Sequence, residues 1–108
     1  MSTLEIQIAE FVGTFIFIFS IFAIISQPSV QFLTPFAIAL ALFISICISQ
    51  SLSSKAKAHL NPAVSFTSII GSDGQLNFEI IGLIIVQVFA GLCAYGLFTL
   101  IKKMDVKS

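Results

Sequence analysis

The chain has 108 residues, 57% of them hydrophobic and only 9% charged, with a mean hydropathy of +1.09, whereas a soluble domain usually carries about a quarter charged residues. That composition excludes a large soluble enzyme core and points to a membrane protein with room for three spans of roughly 20 apolar residues and one shorter element. Five basic and five acidic side chains give a formal charge of zero, and no basic cluster is expected to bind nucleic acid or anionic lipid strongly.

The stretch Met1–Glu5 has no positive n-region, and the apolar run after it is longer than a signal-peptide core, so a retained first span is expected over about 6–26. Its end is marked by Gln27-Pro28-Ser29, because proline disfavours helix at the residue before it. A second span is expected over about 32–51, with Pro35 in its first turn, where a missing N–H costs nothing. Ala37, Ala41, Ser45 and Ser49 recur at every fourth position of this span and form one narrow stripe along which another helix can approach closely.

The polar linker 50–58 leads into a segment too short to span, expected to be helical over about 61–70. Asn61 is a favoured N-cap, Pro62 suits the first helical position, and Gly71 follows the last apolar residue. Ten residues make a helix of roughly 15 Å, half the thickness of a hydrocarbon core. Length alone leans towards an interfacial helix lying flat over a re-entrant half-helix. A turn is expected at Ser72-Asp73-Gly74-Gln75, then a third span over about 78–101 closed by Lys102 and Lys103. No internal repeat is visible, and residues 1–108 read as one domain.

One histidine, no cluster of carboxylates and no nucleophile or phosphate-loop motif argue against an enzyme. The two cysteines, Cys47 and Cys93, lie in apolar runs without metal-ligand spacing, so neither a metal nor another cofactor is expected. Glu10 lies about a turn inside the first span and Gln87 near the centre of the third. A charge or amide facing lipid is costly unless it snorkels or finds partners. Glu5 already occupies the interface, so Glu10 is expected to be buried in a role of its own, and Gln87 needs a protein partner. The most available partners are backbone carbonyls of a non-helical chain leading into a re-entrant helix, so both residues favour the re-entrant reading.

The stretches Ala9-Glu10-Phe11-Val12-Gly13-Thr14-Phe15 and, about fifty residues on, Ala58-His59-Leu60-Asn61-Pro62-Ala63-Val64-Ser65 resemble the first span and first signature loop of the major intrinsic proteins, the aquaporins and glycerol facilitators. The resemblance covers nearly the whole chain but only the first half of a family member, which has two inverted three-helix repeats. It implies an all-α membrane protein, half of an aquaporin-like fold, with three transmembrane helices and one re-entrant half-helix. It implies Asn61, Pro62, Ala63 and Val64 as the pore motif and Glu10, His59 and Gln87 as support of the loop. In this reading Asn61 caps the half-helix and offers its amide to a passing oxygen. Pro62 sets the first turn, and Ala63 lets a second half-helix meet it end to end. Without the resemblance, His59 reads as an exposed linker histidine.

The chain departs from the family pattern in several places. Ala56-Lys57 stands where Ser/Gly-Gly usually precedes the Ala-His, Ala90 stands where Gln-x-x-Gly has its glycine, with Gly91 displaced by one, and no second Asn-Pro-Ala with arginine occurs. The selectivity position of the second span falls on Ala41 without a gap or on Leu42 with one, and neither is aromatic.

The leading expectation is a half-sized channel in a lipid bilayer, passing water and/or small neutral solutes such as glycerol through a pore formed with an inverted second copy or partner half, with no nucleic acid involved. The alternatives are a non-conducting relative that associates with a full-length channel, or a fragment of a longer one. Lys55 and Lys57 on one side face Lys102, Lys103 and Lys107 on the other, nearly balanced, so insertion in both orientations is expected.

Overall fold

A computed structural model describes residues 2–71 and 78–107. Among them the chain is helical, in the order α1 (Ser2–Ile25), a short 3₁₀ segment (Pro28–Leu33), α2 (Thr34–Leu52), α3 (Pro62–Gly71) and α4 (Phe78–Lys107). Three of these helices, over Leu4–Ile25, Gln31–Leu52 and Phe78–Asp105, are long and apolar enough to cross a membrane. α1 begins ahead of the expected start, and α4 continues past Lys102 and Lys103. Gly71 is the last residue of α3 rather than the residue after it. The turn expected at Ser72–Gln75 lies outside the described residues.

Lipid tails are as apolar as leucine, so burial of apolar surface does little to hold spans together, and close packing and hydrogen bonds must do it. α1 meets each neighbour with a different surface. Towards α2 it presents Ala9 and Gly13 to the lower half of the small-residue stripe, where Ser45 and Ser49 are fully buried. There the Ser49 hydroxyl donates to the Ala9 carbonyl at 2.9 Å. Ala41 and Ala37 continue the stripe into an open apolar groove that they share with Ile16, Ser20, Ala23 and Ile24.

Towards α4, α1 presents aromatic rings spaced about a turn apart. Phe11, Phe15 and Phe19 stack in series with centroids 6.3 Å apart at each step. This ladder packs on α4 through Phe11 with Phe89 at 5.9 Å, Phe19 with Phe98 at 6.2 Å, and Phe22 with Tyr95 at 5.1 Å and Phe98 at 5.7 Å. Pairs at these separations contribute about 0.5–1.5 kcal/mol beyond area burial. Gly91, the displaced glycine, also faces α1, where an added Cβ would lie 3.9 Å from Ile18, an ordinary contact distance, so close approach does not require glycine there.

Gly13 is different. A Cβ built on it would lie 2.6 Å from Leu60 Cδ2, 3.0 Å from Ser49 Cβ and 3.3 Å from the Ser45 carbonyl oxygen. The backbone of α1 is therefore wedged between α2 and the loop before α3. Gly13→Val should destabilise the protein by about 1–3 kcal/mol, the usual range for overpacking. Gly96→Ala, in open space, should be neutral or stabilising by up to about 1 kcal/mol through helix propensity. Apparent melting temperatures in maltoside micelles check both, and equal shifts for the two variants would show that the Gly13 contact is not tight.

Candidate functional site

α3 enters the molecule and returns. Its Ser68 shares a pocket with Ile6, Glu79 and Leu83, near the starts of α1 and α4, whereas Asn61 and Pro62 share a crevice with Thr14, Ile18, Val88 and Gly91. From Ile6 to Thr14 the axis of α1 rises about 12 Å at ~1.5 Å per residue. The helix thus begins near mid-depth and runs outward along α4, which makes it a re-entrant half-helix and removes the flat interfacial alternative.

The loop that carries the chain down to Asn61 contains two non-glycine residues in the left-handed region, Ala58 and Leu60, each at φ 54°. Such a backbone costs about 1–3 kcal/mol per residue and persists only where the surroundings impose it. Glu10 imposes it here. Its carboxyl, fully buried, accepts the His59 N–H at 2.8 Å on Oε1 and the Leu60 N–H at 2.9 Å on Oε2. Hydrogen bonds to a charged group contribute about 1.5–3 kcal/mol each, enough to offset the strain. The same two bonds satisfy backbone donors that lipid would leave unpaired.

Gln87 stands behind this anchor. Its Nε2 donates to Glu10 Oε2 at 3.2 Å and to Ser65 Oγ at 2.9 Å. The expectation that Gln87 would pair with loop carbonyls is corrected: the groups the loop turns inward are N–H donors, which need an acceptor, and the carboxylate supplies it. Ser65, on the first turns of α3, is fully buried and links Gln87 to His59, whose Nδ1 lies 2.8 Å from its Oγ. Sequence reasoning assigned Ser65 no role, because a serine four residues past an N-cap carries no distinctive signal. His59 is half-buried and joined to this network, not an exposed linker residue.

Asn61 itself is exposed at the tip. Its Oδ1 accepts the Ala63 N–H at 2.8 Å and its carbonyl accepts the Ser65 N–H at 3.1 Å, an N-cap with Pro62 at the first helical position. The cap commits the oxygen of the amide and turns its N–H donors outward, at the positive end of the helix dipole. Ala63 and Val64 are exposed beside it. The structure thus brings Glu10, His59, Asn61 and Gln87 together around one loop. Ala41 lies apart, in the α1–α2 groove, and Leu42 is half-buried and does not line the Asn61 crevice.

Glu10→Gln should destabilise the protein by about 1–3 kcal/mol, because an amide N–H₂ then faces N–H donors and a buried group loses its partner. Gln87→Leu should do the same to a smaller extent. Hydrogen exchange at the His59 and Leu60 amides reads the effect locally, and unchanged protection in Glu10→Gln would show that the carboxylate does not hold the loop.

Neither curated proteins nor solved structures yield a match to this chain. The family model described as "Major intrinsic protein" matches residues 1–108, from the buried glutamate of α1 through the half-helix to the end of α4. The chain belongs to the major intrinsic protein family, channels of the aquaporin and glycerol facilitator kind.

Proposed function

We propose that the chain is one half of a channel for water and small neutral solutes such as glycerol, and that its pore is completed by a second three-helix unit in inverted orientation, a second copy of this chain or a partner half. The observation that supports this best is the open crevice at the N terminus of α3, in which the capped Asn61 meets apolar walls from Phe17, Ile18, Ile21 and Val88. Lipid in that crevice leaves the amide of Asn61 without a partner, a costly arrangement in hydrocarbon. A second half-helix arriving end to end covers it and brings two positive helix ends to one site.

A solute there receives donors from both Asn61 amides and finds few other partners along the apolar walls. Cations are opposed by the two helix dipoles, the barrier known from aquaporin-type pores. Ala63 is small enough for the two helix starts to meet, Pro62 fixes the backbone of the first turn, and Val64 contributes to the apolar wall. If α2 contributes a constriction residue it is Ala41 or Leu42, neither of which lines the Asn61 crevice itself. Neither side chain is aromatic, which leaves a wider opening than a ring would.

Stopped-flow permeability of liposomes holding the chain alone tests the self-paired form. Water flux should exceed that of empty liposomes, and Asn61→Leu, which removes both donors and adds branched side chains at the narrowest point, should return it to the empty-liposome value with cross-linked dimer still present. Folded wild-type chain without flux would overturn self-pairing.

Orientation offers a separate check. With lysines at 55 and 57 against 102, 103 and 107, cysteines introduced at the two termini should each be labelled from both sides of the membrane in comparable amounts. A single orientation would leave only pairing with a different half.

A further inference from the structure

The face opposite the Asn61 crevice carries a second, chemically distinct pocket. It has a volume of about 140 Å³ and is lined by Ile6 and Leu83 as a floor and by Lys55, Lys57, His59 and Glu79 as polar walls. A water needs roughly 10–15 Å³ of such space, so a polyatomic group fits. Along the sequence Lys55, Lys57 and His59 alternate with Ala56 and Ala58 and stand at least twenty residues from Glu79, which is short of a pocket. The left-handed loop folds Lys55, Lys57 and His59 against the start of α4 and assembles one. None of the three has an ion pair among the described residues, and Lys57 stands where the family pattern has a small residue.

The network behind the loop determines what His59 shows to this pocket. Ser65 Oγ accepts from Gln87 Nε2 and lies 2.8 Å from His59 Nδ1, so the ring meets the network through Nδ1 and keeps Nε2 for the pocket. In the tautomer whose Nδ1 accepts the Ser65 hydroxyl, Nε2 carries the ring hydrogen and is a donor. The pocket therefore offers two ammonium groups and one N–H donor together with one carboxylate, Glu79. That set is complementary to a zwitterion: a phosphate on Lys55, Lys57 and His59, and an amine on Glu79. The pocket lies near the starts of the spanning stretches of α1 and α4, at the level where lipid headgroups lie.

We infer that this pocket binds the headgroup of an aminophospholipid, its phosphate held by Lys55, Lys57 and the ring Nε2 of His59 and its amine by Glu79. The site is independent of whether the chain conducts.

His59 is the only histidine, so ¹⁵N-histidine labelling gives a single ring reporter. The intact chain in maltoside micelles, which contain no phosphate, is titrated in separate arms with phosphatidylethanolamine, phosphatidylglycerol and inorganic phosphate. The expected result is a saturable shift of His59 Nε2 that is strongest with phosphatidylethanolamine. Affinity should fall about fivefold in Lys55→Gln and again in Lys57→Gln, since each lysine near a membrane surface contributes about 1 kcal/mol towards anionic groups. Lys57→Arg should retain binding, and Glu79→Gln should abolish the preference for phosphatidylethanolamine over phosphatidylglycerol. No saturable shift with either lipid, or one unchanged in the Lys55→Gln/Lys57→Gln variant, overturns the site. Equal binding of the two lipids by the wild type overturns the role of the amine. Equal response to inorganic phosphate overturns a lipid source.

Discussion

A single buried carboxylate holds the central feature of this molecule in place. The chain between α2 and α3 must travel to mid-depth without helical hydrogen bonds, and two of its residues, Ala58 and Leu60, take up a left-handed backbone to do so. Hydrocarbon offers no partner for the N–H groups thus exposed. Glu10 meets the N–H groups of His59 and Leu60 from the side of α1, and its own burial is tolerable because a third donor, Gln87, reaches it from α4. Without the carboxylate the loop has no reason to stay strained, and without the loop α3 has no way to begin at mid-depth.

The spanning helices serve this arrangement by meeting α1 with different side chains. On the α2 side, backbone meets backbone, as Gly13, Ser45 and Ser49 show. Only such an approach leaves Leu60, almost fully buried, room to lodge against α1. On the α4 side the contact combines stacked rings with small buried residues of α4, Ala90 and Ala94, and the half-helix lies along the same helix. The loop itself has two faces. Asn61 turns outward at its tip to the crevice of the proposed pore, and His59, just before it, turns to the pocket of lysines on the other side, with Ser65 fastening both through α3.

Much of this was legible because polar residues in apolar spans must find partners. Glu10 and Gln87 stood out for that reason, and Asn61 with Pro62 announced a helix start in a segment too short to cross. Where α3 lies could not be read from its length, which leaned towards the interface; the partners of Glu10 and Gln87 decided it. The identity of those partners was hidden because it depends on which groups the loop turns inward. Leucine and alanine at positive φ leave no trace in a sequence, as glycine would have done. Ser49 was visible as part of the small-residue stripe, but its bond to the Ala9 carbonyl was not, and Ser65 was silent, since a serine hydroxyl in a helix can return to its own backbone. In the pocket of Lys55, Lys57, His59 and Glu79 the three basic residues are neighbours in the sequence, and folding adds Glu79 and the apolar residues beneath them.

The support that Gln87 gives from α4 also orders events in time. α3 precedes α4 in the chain, yet the amide that braces its anchor belongs to α4, as does the surface along which α3 lies. During synthesis the segment from Lys55 to Gly71 emerges before either is present. Before α4 is in place, α3 has the anchor of Glu10 but neither the brace of Gln87 nor the surface it lies along, so its full seating depends on the third span.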